Sequence, residues 1–131
     1  MAETTGLNHL GLAVRDLAQT TAFFTDALGF DEIGRDETYP RTTVTDGTVR
    51  LTLWQTDAGA AAFDRRANIG LHHLALTVPS EAALMAIAQK LSATPGVRIA
   101  FMPEPMGAGP RKHMMLHEPG GIRIELVWPG A

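Results

Sequence analysis

The sequence predicts an α+β fold built from two tandem βαβββ modules. The main observation is an internal repeat, in which residues 7–14 (LNHLGLAV) reappear as residues 71–78 (LHHLALTV), with five of eight positions identical at a constant offset of 64. The closing segments of the two halves also match, VRLTLW at residues 49–54 and IRIELV at residues 122–127. Because neighbouring copies of a repeated unit bury their apolar faces together, we expect one domain over residues 1–131.

In each half a helix signal follows the first strand. Asp16 is a good N-cap, and the apolar residues after it recur at helical spacing up to Gly29. In the second half Pro79 and Ser80 precede a similar pattern, and Gly96 stands where that helix is expected to end.

Between its helix and its closing strand, each half has room for two more short strands. Turn signals at residues 46–47 and 118–121 precede the closing strands. Residues 103–110, with three prolines and two glycines, predict the longest loop of the second half and a candidate lid. The predicted segments are strands at about 31–35, 41–45, 97–102 and 111–117, module one at about 5–55, a linker at about 56–69, and module two at about 70–129.

Composition excludes several classes of function. The net charge is −3 and no basic cluster exceeds a pair, which argues against nucleic acid as a partner. The chain has no cysteine, so disulfides, thiolate metal sites and cysteine catalysis are excluded. No apolar run could cross a bilayer and no signal-peptide pattern is present, so we expect a soluble cytoplasmic protein that does not bind membranes.

The repeat singles out two histidines. His9 and His73 occupy the same repeat position, on the strand face opposite the apolar residues that should pack under the helix. Small residues follow on that face and leave space in front of each imidazole. A lone strand histidine is usually a hydrogen-bonded structural residue, but repeat symmetry should bring these two together. By the same alternation His72 points to the other face, and we interpret it as structural.

Glu125 is a carboxylate in the middle of an apolar strand. A buried carboxylate needs a cationic partner, which an arginine on the same sheet or a metal ion could supply. With His9 and His73 it completes a two-histidine, one-carboxylate set, which is typical of open sites for Fe(II) and related divalent ions. Thr52 occupies the equivalent position in the first half and is a poor ligand. We therefore predict one divalent metal with three protein ligands and free positions for water or substrate.

His113 lies on the strand before Glu125 and shares a face with Met115 and His117. If that face lines the pocket, His113 is the favoured acid–base group or substrate contact. The alternative is that these histidines are simply exposed on an edge strand.

These patterns resemble the vicinal oxygen chelate superfamily, which includes glyoxalases, bleomycin-resistance proteins and extradiol dioxygenases. The resemblance rests on residues 8–12 (NHLGL), 72–76 (HHLAL) and 118–126 (EPGGIRIEL), and it covers nearly the whole chain in order. It implies that each module curls into a half-barrel of four strands around a metal cleft, with His9, His73 and Glu125 as ligands, and that the protein forms a homodimer.

At three positions the sequence differs from the enzyme subfamilies of this superfamily, and these differences affect which reaction is expected. Glyoxalase I-like and methylmalonyl-CoA epimerase-like enzymes usually carry a fourth ligand where Thr52 stands. Extradiol dioxygenases usually carry a tyrosine at the place of Met115. Fosfomycin-resistance transferases favour that tyrosine too, with a serine at the place of His113.

The resemblance implies a metal-dependent enzyme acting on a small oxygen-rich substrate, with dioxygenase-type coordination favoured by the ligand set. A glyoxalase-type lyase or isomerase is the first alternative. The others are a non-catalytic binding or resistance protein, and a metal-free relic in which the histidines are structural. The metal could be Fe, Mn, Ni, Zn or Co.

Overall fold

Each half of the chain folds into a four-stranded sheet with a helix on one face, in the predicted order β-α-β-β-β. The structure is a computed structural model that describes all 131 residues. It divides into two compact units, unit 1 at Met1–Ala60 and unit 2 at Ala61–Ala131. The α+β class and the paired modules predicted from the repeat are therefore confirmed.

Unit 1 has the strand order β1-β4-β3-β2, with β1 parallel to β4 and the other pairs antiparallel. A parallel β1–β4 pair requires the chain to cross over the sheet, and the helix makes that crossover. The elements are β1 (Leu10–Val14), α1 (Leu17–Ala22), a π-helical segment (Phe23–Ala27), β2 (Asp31–Asp36), β3 (Arg41–Thr45) and β4 (Arg50–Gln55).

The first helix begins and ends where the sequence predicts. The Asp16 side chain accepts a hydrogen bond of 3.0 Å from the backbone N–H of Gln19, as an N-cap does. The helix then widens into its π-helical segment, which ends at Ala27 with Leu28 as the C-cap, and Gly29 follows with φ +74°. On the covered face of the sheet, the Thr21 and Thr42 hydroxyls form a buried hydrogen bond of 2.8 Å.

Unit 2 repeats this topology with the strand order β5-β8-β7-β6. Ser80 caps the helix by accepting a hydrogen bond of 3.0 Å from the N–H of Ala83. The elements are β5 (Leu74–Thr77), α2 (Glu81–Ser92), β6 (Arg98–Pro105), β7 (Lys112–His117) and β8 (Arg123–Trp128).

Helix α2 covers one face of the second sheet. Its buried side chains pack against apolar residues that alternate along β7 and β8. The residues between them, including Glu125, must therefore lie on the opposite face. The buried apolar residues of this core include Leu84, Ala88, Leu91, Met114, Leu116, Ile124 and Leu126.

Three local predictions need correction. Helix α2 ends at Ser92, with Ala93 as its C-cap, and so stops before Gly96, where its end was expected. Strand β6 runs to Pro105, so it includes the beginning of the loop predicted for residues 103–110. Strands β1 and β5 begin at Leu10 and Leu74, so His9 and His73 precede the strands in which they were expected. None of the helices is both long enough and apolar enough to span a membrane.

Replacing Gly96 by alanine should lower the free energy of unfolding by about 2–3 kcal/mol. Gly96 has φ +83°, which costs a residue with a side chain roughly 1–2 kcal/mol. An added Cβ would also lie 3.1 Å from the Cβ of Pro119, so the turn before β8 would have to shift, at a cost of about 1 kcal/mol or more.

Gly29→Ala is the matched control, because Gly29 has φ +74° but no heavy atom within 4 Å of an added Cβ. Urea unfolding of both variants gives the difference directly. Equal losses in the two variants would contradict the proposed close packing of Gly96 on Pro119.

Candidate functional site

Glu125 lies on the face of the second sheet opposite helix α2, which is called the open face below because α2 does not cover it. It is 6% exposed and belongs to β8, which pairs with β5 on one side and β7 on the other. Its direct cross-strand neighbours are Ala75 and Met115, neither of which can compensate a carboxylate. Partners must therefore come from the diagonal positions, which long side chains on neighbouring strands can reach.

Two histidines occupy those diagonal positions. His73 Nε2 lies 3.2 Å from Glu125 Oε1, and His113 Nδ1 lies 2.5 Å from Glu125 Oε2. His73 comes from the chain entering β5, while His113 comes from β7. Each carboxylate oxygen thus faces one imidazole, and the small side chain of Ala75 leaves the room that His73 needs.

The hydrogen bonds around His73 determine which of its nitrogens carries the proton. Arg123 Nη1 lies 3.4 Å from His72 Nδ1, and a guanidinium can only donate, so His72 Nδ1 accepts. His73 Nδ1 lies 2.8 Å from the same His72 nitrogen and must therefore donate to it. In the neutral His73 ring, Nε2 is then a bare lone pair that faces Glu125 Oε1.

The electrostatics of His72 agree with this assignment. Desolvation by neighbouring groups, then the charges of Arg123 and His73, hold the pKa of His72 below its ordinary value. The His72 ring is therefore neutral near pH 7 and can accept. Since His73 Nε2 and Glu125 Oε1 both present lone pairs, a cation between them is required for attraction, either a proton on His73 or a metal ion.

The distance between these two atoms fits a metal ion. A separation of 3.2 Å is short enough for both atoms to contact one ion at ordinary ligand distances. An imidazole nitrogen and a carboxylate oxygen are also the ligand types that divalent transition metals prefer.

His9, the third predicted ligand, belongs to unit 1 and is exposed. Its Nδ1 lies 2.8 Å from Asn8 Oδ1, and an amide oxygen can only accept, so Nδ1 carries the proton. The lone pair of His9 is therefore on Nε2, as in His73. Thr52, the counterpart of Glu125, is buried, and its hydroxyl lies 3.5 Å from the Thr43 hydroxyl.

The structure thus brings His73, His113 and Glu125 into direct contact within unit 2. It shows no group of three or more histidine and carboxylate side chains arranged to hold a metal ion. The prediction that the ligands are His9, His73 and Glu125 accordingly stays a prediction.

The interpretation of His72 as a residue on the opposite face is wrong. Its ring contacts the ring of His73, with a centroid distance of 5.1 Å. The alternation rule does not apply, because both residues precede β5. The spacing alone could not have indicated this contact.

Sequence reasoning also missed a basic row beside Glu125. Arg98, His117 and Arg123 are direct neighbours on β6, β7 and β8, so their side chains share the open face. Only the strand register aligns them, because 25 positions of sequence separate Arg98 from Arg123.

Comparison with known proteins agrees with the fold. The family model for the glyoxalase/bleomycin resistance protein/dioxygenase superfamily matches residues 6–126. None of the curated proteins searched matches the chain.

Solved structures share the fold over nearly the whole length. A glyoxylase/bleomycin resistance protein/dioxygenase domain from Frankia sp. EAN1pec is 24% identical, with a TM-score of 0.82 and coverage of 96% of this chain and 98% of that one. A fosfomycin resistance protein from Listeria monocytogenes is 21% identical, with a TM-score of 0.73 and coverage of 95% and 93%. A lactoylglutathione lyase from Agrobacterium tumefaciens is 14% identical, with a TM-score of 0.75 and coverage of 98% and 96%.

Because the family model matches most of the chain, this protein belongs to the glyoxalase/bleomycin resistance protein/dioxygenase superfamily.

Proposed function

We propose that this chain is a metal-dependent enzyme that holds one divalent ion through His9, His73 and Glu125 and binds two neighbouring oxygens of a small substrate. The observation that supports this most strongly is the facing pair of His73 Nε2 and Glu125 Oε1, 3.2 Å apart. The Nδ1 proton of His73 is already used in its hydrogen bond to His72, so the pair presents two lone pairs to a cation.

The inclusion of His9 rests on the repeat, which gives it the sequence position of His73. Its Nδ1 proton is likewise used, by Asn8, so its Nε2 is free to act as a ligand. A metal-ligating histidine usually donates its other ring N–H to a fixed acceptor, which is what both residues do.

His113 is the proposed acid–base group. Its Nδ1–H donates to Glu125 Oε2, which orients the ring and leaves Nε2 as the nitrogen that can take up or release a proton. The ring of Phe101 packs at 4.9 Å from the His113 ring and restricts its rotation. A bound divalent ion would supply Lewis-acid polarisation of two adjacent substrate oxygens or, as Fe(II), a binding position for O₂.

The ligand set favours dioxygenase-type coordination, since two imidazoles and a carboxylate leave several positions open. The oriented base at His113 favours a second candidate, a lyase or isomerase that moves a proton next to a substrate carbonyl. Among the structural relatives, one is titled a lactoylglutathione lyase and another a fosfomycin resistance protein, and at 14% and 21% identity they support the fold alone. We also propose a homodimer located in the cytoplasm.

His73→Ala and Glu125→Gln should each lower the affinity for a divalent ion at least a hundredfold, because each removes one of three protein ligands. The measurement is calorimetric titration of chelator-treated protein with Fe(II), Mn, Co, Ni and Zn, together with the metal-induced rise in melting temperature. Elemental analysis of protein prepared without an immobilised-metal column identifies the native ion.

Two controls on the same sheet face separate ligation from general damage. His117→Asn and Glu104→Gln change a histidine and a carboxylate that do not contact Glu125, and both should keep the wild-type metal affinity. If His73→Ala binds metal as tightly as the wild type, the proposed site is wrong. A wild-type protein that binds none of these ions would favour the non-catalytic alternative.

His113→Phe should weaken metal binding about 10–100-fold while the fold is kept, because Glu125 loses the donor that orients its carboxylate. His113→Gln retains an N–H donor and should recover part of the loss. The same titration provides the measurement. Equal affinities for wild type, His113→Phe and His113→Gln would show that His113 does not position Glu125.

A further inference from the structure

The open face of unit 2 carries a row of basic residues next to the Glu125 cluster, which consists of His73, His113 and Glu125. Arg98, His117 and Arg123 pair directly across β6, β7 and β8. Arg123 lies two residues before Glu125 on β8, so the row is about 6.6 Å from the carboxylate along the strand. A small molecule could contact the row and the Glu125 cluster at once.

No carboxylate forms a salt bridge with any member of this row. Burial, then the charges of Arg98, Arg123 and Arg65, hold the pKa of His117 below its ordinary value. The positive charge of the row therefore resides on the guanidinium groups of Arg98 and Arg123, neither of which forms a salt bridge with a carboxylate.

Two polar atoms in the row are buried and have no hydrogen-bond partner. They are His117 Nδ1 and Arg123 Nε. The large majority of buried polar atoms in proteins have a partner, so these two nitrogens are the atoms of the row that an added acceptor would satisfy. His117 can donate in its Nδ1–H tautomer, which gives two donors on adjacent strands.

The equivalent row of unit 1 contains only one basic residue. Asp31, Thr45 and Arg50 pair across β2, β3 and β4 in the same register. An aspartate thus stands where unit 2 has Arg98, and a threonine where it has His117. The two modules share their fold, so the basic row is a particular feature of the second one.

We propose that Arg98, His117 and Arg123 bind an oxyanion, either a carboxylate or a phosphoryl group, that belongs to the substrate. The guanidinium of Arg98 would attract the anion at the exposed edge, and Arg123 Nε–H and His117 Nδ1–H, which are covered in the free protein, would turn to donate to its oxygen atoms. The identification of this anion as part of the substrate rests on the proposed function, whereas binding at the row does not.

The test uses the metal-free full chain. Its readout is the ¹⁵N–¹H signal of Arg123 Nε, which is assigned by its loss in Arg123→Lys. Inorganic phosphate and acetate are titrated separately, with chloride at matched ionic strength as the reference. We expect a saturable shift with phosphate, acetate or both, and the tighter of the two identifies the class of anion.

Arg98→Gln, an exposed substitution, should weaken this binding at least about tenfold. Arg50→Gln is the matched control, because Arg50 occupies the repeat position of Arg123 in unit 1. This variant should leave the anion affinity unchanged. A shift no larger than that with chloride, or one unaffected by Arg98→Gln, overturns the proposal. Because no metal is present, loss of the shift and loss of metal affinity are separate results.

Discussion

The buried charge of Glu125 is the constraint on which the rest of the second module depends. A carboxylate that is 6% exposed on a central strand is stable only with partners on both oxygens. Ala75 and Met115, its direct neighbours, provide none. His73 and His113 therefore have to reach it from either side of β8. The hydrogen bond to His72 places a proton on Nδ1 of His73, and the hydrogen bond to Glu125 places one on Nδ1 of His113. One carboxylate thereby fixes the orientation of two imidazoles.

The repeat explains how such a site can arise from an otherwise ordinary fold. Both modules pack a helix on one sheet face, and side chains on the other face, which that helix does not cover, can differ between the modules. In unit 1 the position of Glu125 is Thr52, whose hydroxyl faces Thr43 and needs no charge compensation. His9 and His73 have the same chemistry in both copies, and so do Arg50 and Arg123. The residues that differ between the copies, Thr52 and Glu125 among them, therefore distinguish the site of unit 2 from unit 1.

Much of the fold follows from the sequence because its signals are local. The matched segments at residues 7–14 and 71–78, the caps at Asp16 and Ser80, and the alternation along β7 and β8 each depend on short-range geometry. The contact between Glu125 and His113 could be expected only in part, since alternation indicates the shared face but not the diagonal reach. The contact between His72 and His73 could not, because it depends on where β5 begins. The basic row could not either, since its alignment depends on the register of β6, including the irregular pairing after Ile99.

The arrangement of the open face also limits the chemistry that the site can perform. Met115 faces Glu125 where a tyrosine would offer a hydroxyl, and a thioether can neither donate a proton nor hold one at neutral pH. Under the proposed function, proton transfer next to Glu125 is therefore assigned to His113, whose Nδ1 donates to the carboxylate and whose Nε2 is left for a proton. The hydrogen bond from Nδ1 to Glu125 holds the His113 ring in place and leaves its Nε2 directed away from the carboxylate. A reaction that begins by removing a proton from a substrate hydroxyl or from a carbon next to a carbonyl would suit this base, and both proposed chemistries begin that way.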